Sequence, residues 1–336
     1  MQLKKWFKRI LFGFLICIVA LILTAISYEQ VSRIVADRSY PPEGKLIDAG
    51  GHMLHALIKG SGSPTVVFES GLASDGYVAW YKVQDEVARL STTVAYDRAG
   101  INWSERGSNP KTAEAISREL EAMLANGGFE PPYILVGHSF AGITLRPFIY
   151  RNLDNIAGIV FVDTTHPDQW NRTPEEMQTD SSGPSRSFMR LLRNLGVLRI
   201  NMKGIVLPNT EKDDIYNRVT SALIHRASGV MDEMLASDAM MDEVVSMNDF
   251  GNISLTIVTG ASPTRYEAYP VSQETKAELT NTFHDLQKDL LNLSSQSRQI
   301  HAPNSGHYVQ FDEPEVVIDA ILQLVEQSQV YSNQQP

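Results

Sequence analysis

The stretch YILVGHSFAGI, residues 133–143, constrains the fold more than any other: an apolar run through Val136 stops at Gly137, and Ser139 follows with Ala141 and Gly142 close behind. An unbroken apolar run of strand length is what a strand covered on both faces writes into a sequence. Small residues on either side of Ser139 let that strand turn sharply into a helix. At such an apex Ser139 is either an exposed nucleophile or the cap of the helix, a place serine also suits.

A buried strand needs neighbours, and the flanking sequence supplies them. KLIDAGGHMLHALIKG alternates about Gly50-Gly51 as a hairpin, and PTVVFES, TTVAYDRAG and IAGIVFVD are further short β-rich runs. Between the strands lie helical patterns at DGYVAWYKVQDEVARL, at TAEAISRELEAMLANGG with its glycine stop, and at FAGITLRPFIYRNL. Strands joined by helices need crossover connections, so the expected class is α/β with a mostly parallel sheet flanked by helices. From Thr164 to about Asn252 strand signals cease, while SFMRLLRNLGVL and the run from DIYNRV to MMDEVV read as helices. Alternation resumes at ISLTIVTG, and DEPEVVIDAILQLVEQ closes the chain as a helix with Pro314 near its start. The expected organisation is a core of residues 44–163 and 253–328, a helical insertion at 164–252, a linker at 29–43 and a disordered tail at 329–336.

The N-terminus sets Lys4, Lys5, Lys8 and Arg9 before an uncharged stretch from Ile10 to Tyr28. As a helix it spans roughly the hydrocarbon core of a bilayer. A transmembrane anchor at 10–28 behind a basic cytoplasmic segment at 1–9 fits that length. The other reading is a cleavable signal peptide ending near Ala25 and Ser27, although such peptides have shorter apolar cores of about 7–15 residues. Basic residues cluster before the span, whereas Arg33, Arg38 and Lys45 are spread thinly after it, so the N-terminus is expected in the cytoplasm and the body on the exported side of the cell membrane. The formal net charge is −10, and everything downstream of the basic segment is more acidic still, a poor match for nucleic acid. The single cysteine, Cys17, lies in the apolar run, which leaves the rest of the chain without an internal disulfide or a thiolate metal site. Nothing in the sequence bears on oligomeric state.

Ligands of parallel sheets bind at the carboxyl ends of the strands, so residues just after each strand carry the most information. Ser139 follows YILV, Asp163 follows GIVFV, and Ser70-Gly71-Leu72 follows PTVVFE as a small loop able to aim a backbone N–H into the same crevice. His307 stands in the glycine-containing loop before the closing helix. A hydroxyl nucleophile needs a base within reach and a group that orients the base, and these strand ends supply the set. His52, His55, His225, His284 and His301 lack that placement and read as structural or exposed.

Over residues 44–327 the chain resembles the α/β-hydrolase superfamily, through GSGSPTVVFESGL, YDRAGINWSERG, PPYILVGHSFAG, VDTTHPDQW and SGHYVQFDEPEVVIDAI. The resemblance implies an α/β-hydrolase fold with a helical cap, Ser139 as nucleophile, His307 as base and the backbone N–H groups of Leu72 and Phe140 as oxyanion hole. It calls for no metal and no cofactor. The chain departs from the family pattern at Ala141, which replaces the second elbow glycine, and at Pro147, which is expected to kink the following helix. A further departure is IVTGASPTRYE, which lacks the aspartate that many relatives carry after the penultimate strand. Asp163 is then the expected acid, with Glu267 as the alternative, and an aspartate at 163 also suits a purely structural bond to loop backbone.

The activity implied is that of a membrane-anchored serine hydrolase cleaving carboxylic ester or amide bonds of small apolar substrates through an acyl-enzyme. Two other readings stand beside it: a non-catalytic binding protein of the same fold, and a carbon–carbon bond hydrolase using the same triad. A serine rather than an aspartate at the apex argues against the alkyl-enzyme chemistry of haloalkane dehalogenases and epoxide hydrolases. Met231, Met234, Met240, Met241 and Met247 form either an adaptable wall of the acyl pocket or the packing of the insertion.

Overall fold

The computed structural model describes residues 2–107, 111–174, 176, 185–202 and 215–334. Eight strands form one sheet: β1 (Lys45–Asp48), β2 (Met53–Lys59), β3 (Thr65–Glu69), β4 (Thr92–Tyr96), β5 (Tyr133–His138), β6 (Ile156–Val162), β7 (Leu255–Gly260) and β8 (Ser297–Ala302). Their spatial order is β1-β2-β4-β3-β5-β6-β7-β8. The β1–β2 hairpin turns at Gly50 and Gly51, whose φ of +92° and +115° glycine alone adopts freely. β2 also pairs antiparallel with β4, and every later pairing is parallel. β3, β5 and β7 are buried at every position, which explains their mostly apolar sequences without polar alternation. After β3 the chain adds β4 on one flank and β5 on the other, so a crevice opens where β3 and β5 end.

The α-helices are α1 (Gln2–Ser39), α2 (Gln84–Val87), α3 (Ala113–Asn126), α4 (Ala141–Thr144), α5 (Arg146–Arg151), α6 (Gln169–Arg172) and α7 (Arg186–Asn194). They continue as α8 (Val197–Met202), α9 (Ile215–Leu223), α10 (Ser228–Met234), α11 (Ser237–Val244), α12 (Gln273–Asp289), α13 (Val309–Asp312) and α14 (Pro314–Gln334). These elements fall into two compact units, residues 1–41 with 182–225 and residues 42–181 with 226–336.

The first unit holds α1, α7, α8 and α9. The stretch Lys4–Ser39 of α1 is long and apolar enough to cross a membrane, and its apolar window is unburied. Helix continues through Ser39, past the point where a linker was expected to begin at residue 29. The reason is a polar stripe at four-residue spacing: Glu29, Arg33 and Asp37 lie on one face of α1. Glu29 accepts from Arg199 at 2.8 and 3.1 Å, Arg33 donates to Asn194 at 3.1 Å, and Asp37 meets His225 at 3.0 Å. Residues that look like a solvated connector are thus a packed helix face. Residues 175, 177–184 and 203–214 of the expected 164–252 insertion lie outside the described residues, as do 335–336 of the expected tail.

In the second unit, Thr112 caps α3 by accepting from Ala115 at 3.0 Å, and Gly127 ends it. The helix after Ser139 breaks at Leu145 into α4 and α5, which places Pro147 in a first turn, where its missing N–H is harmless. DGYVAWYKVQDEVARL does not form the single helix expected of it, giving only a 3₁₀ turn at Gly76–Trp80 and the one-turn α2. Asp97 explains this: its carboxylate accepts from Tyr77 N at 3.0 Å, and a side chain on Gly76 would strike it at 1.9 Å. Two elements carry no clear sequence pattern, the edge strand β8 and α12. The closing helix runs on to Gln334, where a disordered tail was expected from residue 329, and Gln329 donates to Ser63 O at 3.0 Å and Leu90 O at 3.1 Å.

Candidate active site

β5 delivers Gly137-His138-Ser139 to the crevice, and Ser139 sits at φ +53°, a left-handed backbone that costs a non-glycine residue about 1–3 kcal/mol. Its neighbours enforce the turn. Ser139 N donates to Val162 O at 3.2 Å, while Ser139 O accepts from Gly142 N at 3.1 Å and Thr165 N at 2.8 Å. Close approach demands the glycines: a Cβ on Gly137 would lie 2.9 Å from Ala141 Cβ, and one on Gly142 2.7 Å from Thr165 O. A Cβ on Gly71 would lie 2.9 Å from Ser139 Cβ, so the loop after β3 passes directly beside the serine.

His307 lies 2.9 Å from Ser139 Oγ through Nε2 and 2.6 Å from Asp163 Oδ2 through Nδ1. With Asp163 ionised, Nδ1–H donates to the carboxylate and Nε2 is left to accept the serine proton. The His307 loop is held from several sides. His138 Nε2–H donates to His307 O at 2.8 Å, Gly306 N donates to Asp312 at 3.0 Å, and Ser305 Oγ donates to Glu313 at 2.6 Å. Burial, with the nearby His307 adding, presses the His138 imidazole down to about 3, so it stays neutral with its ring 4.6 Å from that of His307.

Asp163 follows β6 at φ +50° and is almost wholly buried. Besides His307 it accepts from Gly260 N at 2.9 Å and from both terminal nitrogens of Arg265, at 3.0 and 2.6 Å. Burial alone would push the carboxyl up, but the Arg265 charge and the His307 bond outweigh it and hold Asp163 at about 2. The Arg265 guanidinium also lies 3.7 Å above the Phe283 ring. Glu267, the alternative acid, is not brought to His307: its half-exposed side chain pairs with Lys276 at 3.6 Å. Asp163 and His307 are thus the pair that meets, and Arg265 and His138 are the members the sequence left unassigned. Arg265 occupies the very loop after β7 that lacks an aspartate, and a basic residue there was the one available signal.

Ser139, Asp163, Arg265 and His307 line a cavity of 340 Å³ together with Leu72 and Phe140. Trp170, Met241, Tyr266, Tyr269, Leu279 and Phe283 make its wall largely apolar. Of the five methionines weighed from sequence, Met241 reaches this wall, Met240 is buried against the cluster containing Phe140 and Ile143, and Met234 is exposed. His55 is taken up by Asp97 at 2.8 Å, and His52 lies 3.4 Å from Glu119, away from the cavity. Among the described residues no group of three His, Cys, Asp or Glu side chains is arranged to hold a metal ion.

A family model described as the alpha/beta hydrolase fold matches residues 64–210. The chain is 28% identical over 311 residues to the probable transporter efuK of Hormonema carpetanum, covering 84% of this chain but only 42% of that protein. The chain therefore spans less than half the length of that relative. Among solved structures it matches the epoxide hydrolase CorEH with a TM-score of 0.61 at 16% identity, and an esterase of Thermogutta terrifontis with 0.57 at 18% identity. Each match covers 84% of this chain and 98% of the other, and at such identities it is a likeness of fold. On its sheet order, its strand-end cluster and the matched family model, the chain is an α/β-hydrolase-fold protein.

Proposed function

We propose that the chain is a serine hydrolase that cleaves carboxylic ester or amide bonds of small apolar substrates. The observation that carries this reading is His307, which bonds Ser139 Oγ at 2.9 Å on one side and Asp163 at 2.6 Å on the other. Ser139 attacks the acyl carbonyl as its proton passes to His307 Nε2, and Asp163 orients the imidazole and stabilises its charged form. The N–H groups of Leu72 and Phe140 stabilise the oxyanion. Collapse breaks the bond to the leaving group, which takes the proton from His307. Water, deprotonated by His307, then releases the acid from Ser139. A largely apolar 340 Å³ cavity suits a small acyl group. Incubation with a fluorophosphonate tests the reading: the full chain should be labelled, and Ser139→Ala should lose both the label and several orders of magnitude of turnover. A folded Ser139→Ala protein with full activity would move the chemistry elsewhere.

Within the same reading, α1 is a signal-anchor whose basic start stays cytoplasmic, placing the hydrolase on the exported face of the cell membrane. Protease added to intact cells should digest the body while a tag on residue 1 stays protected. Protection of the body, or its release into the medium as a shortened chain, would refute the anchor.

A further inference from the structure

Leu72 N–H can serve an oxyanion only if its peptide plane is held at a fixed tilt, and the segment Ser70-Gly71-Leu72 has no regular structure to hold it. What does hold it is Arg98, from the YDRAG stretch after β4. Arg98 Nη1 donates to Ser70 O at 2.6 Å and Nη2 to Gly71 O at 2.7 Å, the latter carbonyl also accepting from Ala73 N at 3.0 Å. The two ends of a trans peptide point in opposite directions, so anchoring Gly71 O toward the core turns Leu72 N–H away from Arg98. On that opposite side Leu72 lines the cavity with Ser139, and Gly71 is pressed against the serine.

The guanidinium is fully buried and needs a counter-ion. Glu233 of α10 supplies it with both oxygens, Nε to Oε1 at 3.0 Å and Nη2 to Oε2 at 2.7 Å. Glu69, 3.7 Å from Nη1, is occupied by hydrogen bonds from Tyr96 and Thr144, and burial pushes its carboxyl up. α10 is fastened to the same segment at its other end: Gly229 N donates to Gly100 O at 2.8 Å, and a Cβ on Gly229 would strike Ala99 O at 2.3 Å. A planar fork with five donors can bind a carboxylate and two carbonyls at once, which an ammonium cannot do in fixed geometry.

We propose that Arg98 is the positioning residue of the oxyanion donor, aiming Leu72 N–H at the Ser139 cavity by gripping the carbonyls of Ser70 and Gly71, with Glu233 as its counter-ion. This rests on Ser139 being the nucleophile, and the wild-type chain must first be labelled by a fluorophosphonate; absence of label defeats that reading before any variant is made. With an activated ester and active sites counted by the same label, Arg98→Lys should lower kcat per labelled site about tenfold to a hundredfold. KM should stay within about twofold, and the pH–rate profile should keep its midpoint because the His307–Asp163 pair is untouched. Affinity for a boronic acid that mimics the tetrahedral oxyanion should fall by the same factor as kcat. A purely structural arginine predicts fewer labelled sites with unchanged kcat per site, and that result overturns the proposal, as does a rise in KM alone. Should Arg98→Lys fail to fold, Glu233→Gln decides: a several-fold loss of kcat per site at constant KM supports the assignment, and an unchanged kcat rejects it.

Discussion

The Arg265 and Arg98 side chains are both buried, and each grips a carboxylate with two nitrogens, yet their partners differ in kind. Asp163, the partner of Arg265, is the same carboxylate that His307 uses. Glu233, the partner of Arg98, touches no reacting group and frees two guanidinium N–H groups for the carbonyls of Ser70 and Gly71. In the proposed mechanism one arginine moderates charge on the base side of the serine, while the other fixes geometry on the oxyanion side. If Ser139 is the nucleophile, as proposed, charge and aim around it are set by different arginines and can be changed separately.

The largest effect expected on the base side is that of Asp163→Asn, which keeps the shape but favours the wrong histidine tautomer. It should lower kcat by up to about ten-thousandfold, while Glu267→Gln changes it by less than about twofold. The reverse ranking, both proteins folded, would take Asp163 out of the mechanism and leave Arg265 without a catalytic partner to moderate. Arg265→Gln sharpens the contrast with Arg98. Without the guanidinium, Asp163 binds the imidazolium more strongly, so the acid limb of the pH–rate profile should move to higher pH while kcat on the plateau falls by less than about tenfold. A plateau loss as deep as that of Asp163→Asn, with no movement of the limb, would show that Arg265 only holds the aspartate in place.

Much of this was legible in the sequence, and the parts that were not share a cause. β3, β5 and β7 are buried on both faces and announce themselves as apolar runs, and Ser139, Asp163 and Leu72 inherit their places from strand ends. His307 follows from its position before α14. β8 is a half-buried edge strand reading SRQIHA, with no apolar alternation to find. In α12 only Leu279, Phe283 and Leu286 keep helical spacing among mostly polar residues, behind a Ser272 cap that accepts from Thr275 at 3.0 Å. Glu233 and Arg98 stand 135 positions apart, and Arg265 and Asp163 stand 102 apart. Each is an ordinary charged residue until the fold makes them meet. The stripe Glu29, Arg33 and Asp37 looks like linker in the sequence for the same reason, since its partners Arg199, Asn194 and His225 are far along the chain.

A smaller effect concerns stability on the base side. His138 is held neutral down to about 3, whereas an unfolded histidine takes its proton near pH 6.5. The unfolded chain therefore binds more protons between these values, and stability falls as pH drops through that window. His138→Gln, which keeps a donor for His307 O, should lose less stability than the wild type between pH 6.5 and 5, by about 2 kcal/mol in denaturant titrations. Equal losses in the two proteins would mean that His138 is not held neutral in the fold. Asp163, depressed to about 2, stabilises fully above the ordinary carboxylate range near pH 4 and loses that contribution only as pH falls from there through about 2, so the two windows are separable.

The residue that carries the acyl group decides whether Ser139 is the nucleophile. The purified full chain, mixed with an activated ester and quenched in acid within the first turnovers, can be digested and its peptides weighed. The peptide containing Ser139 should carry one acyl group, the adduct should disappear on standing in the wild type, and it should fail to form in Ser139→Ala. Turnover with the acyl group on another residue, or sustained hydrolysis by a folded Ser139→Ala protein, would contradict the mechanism at its centre.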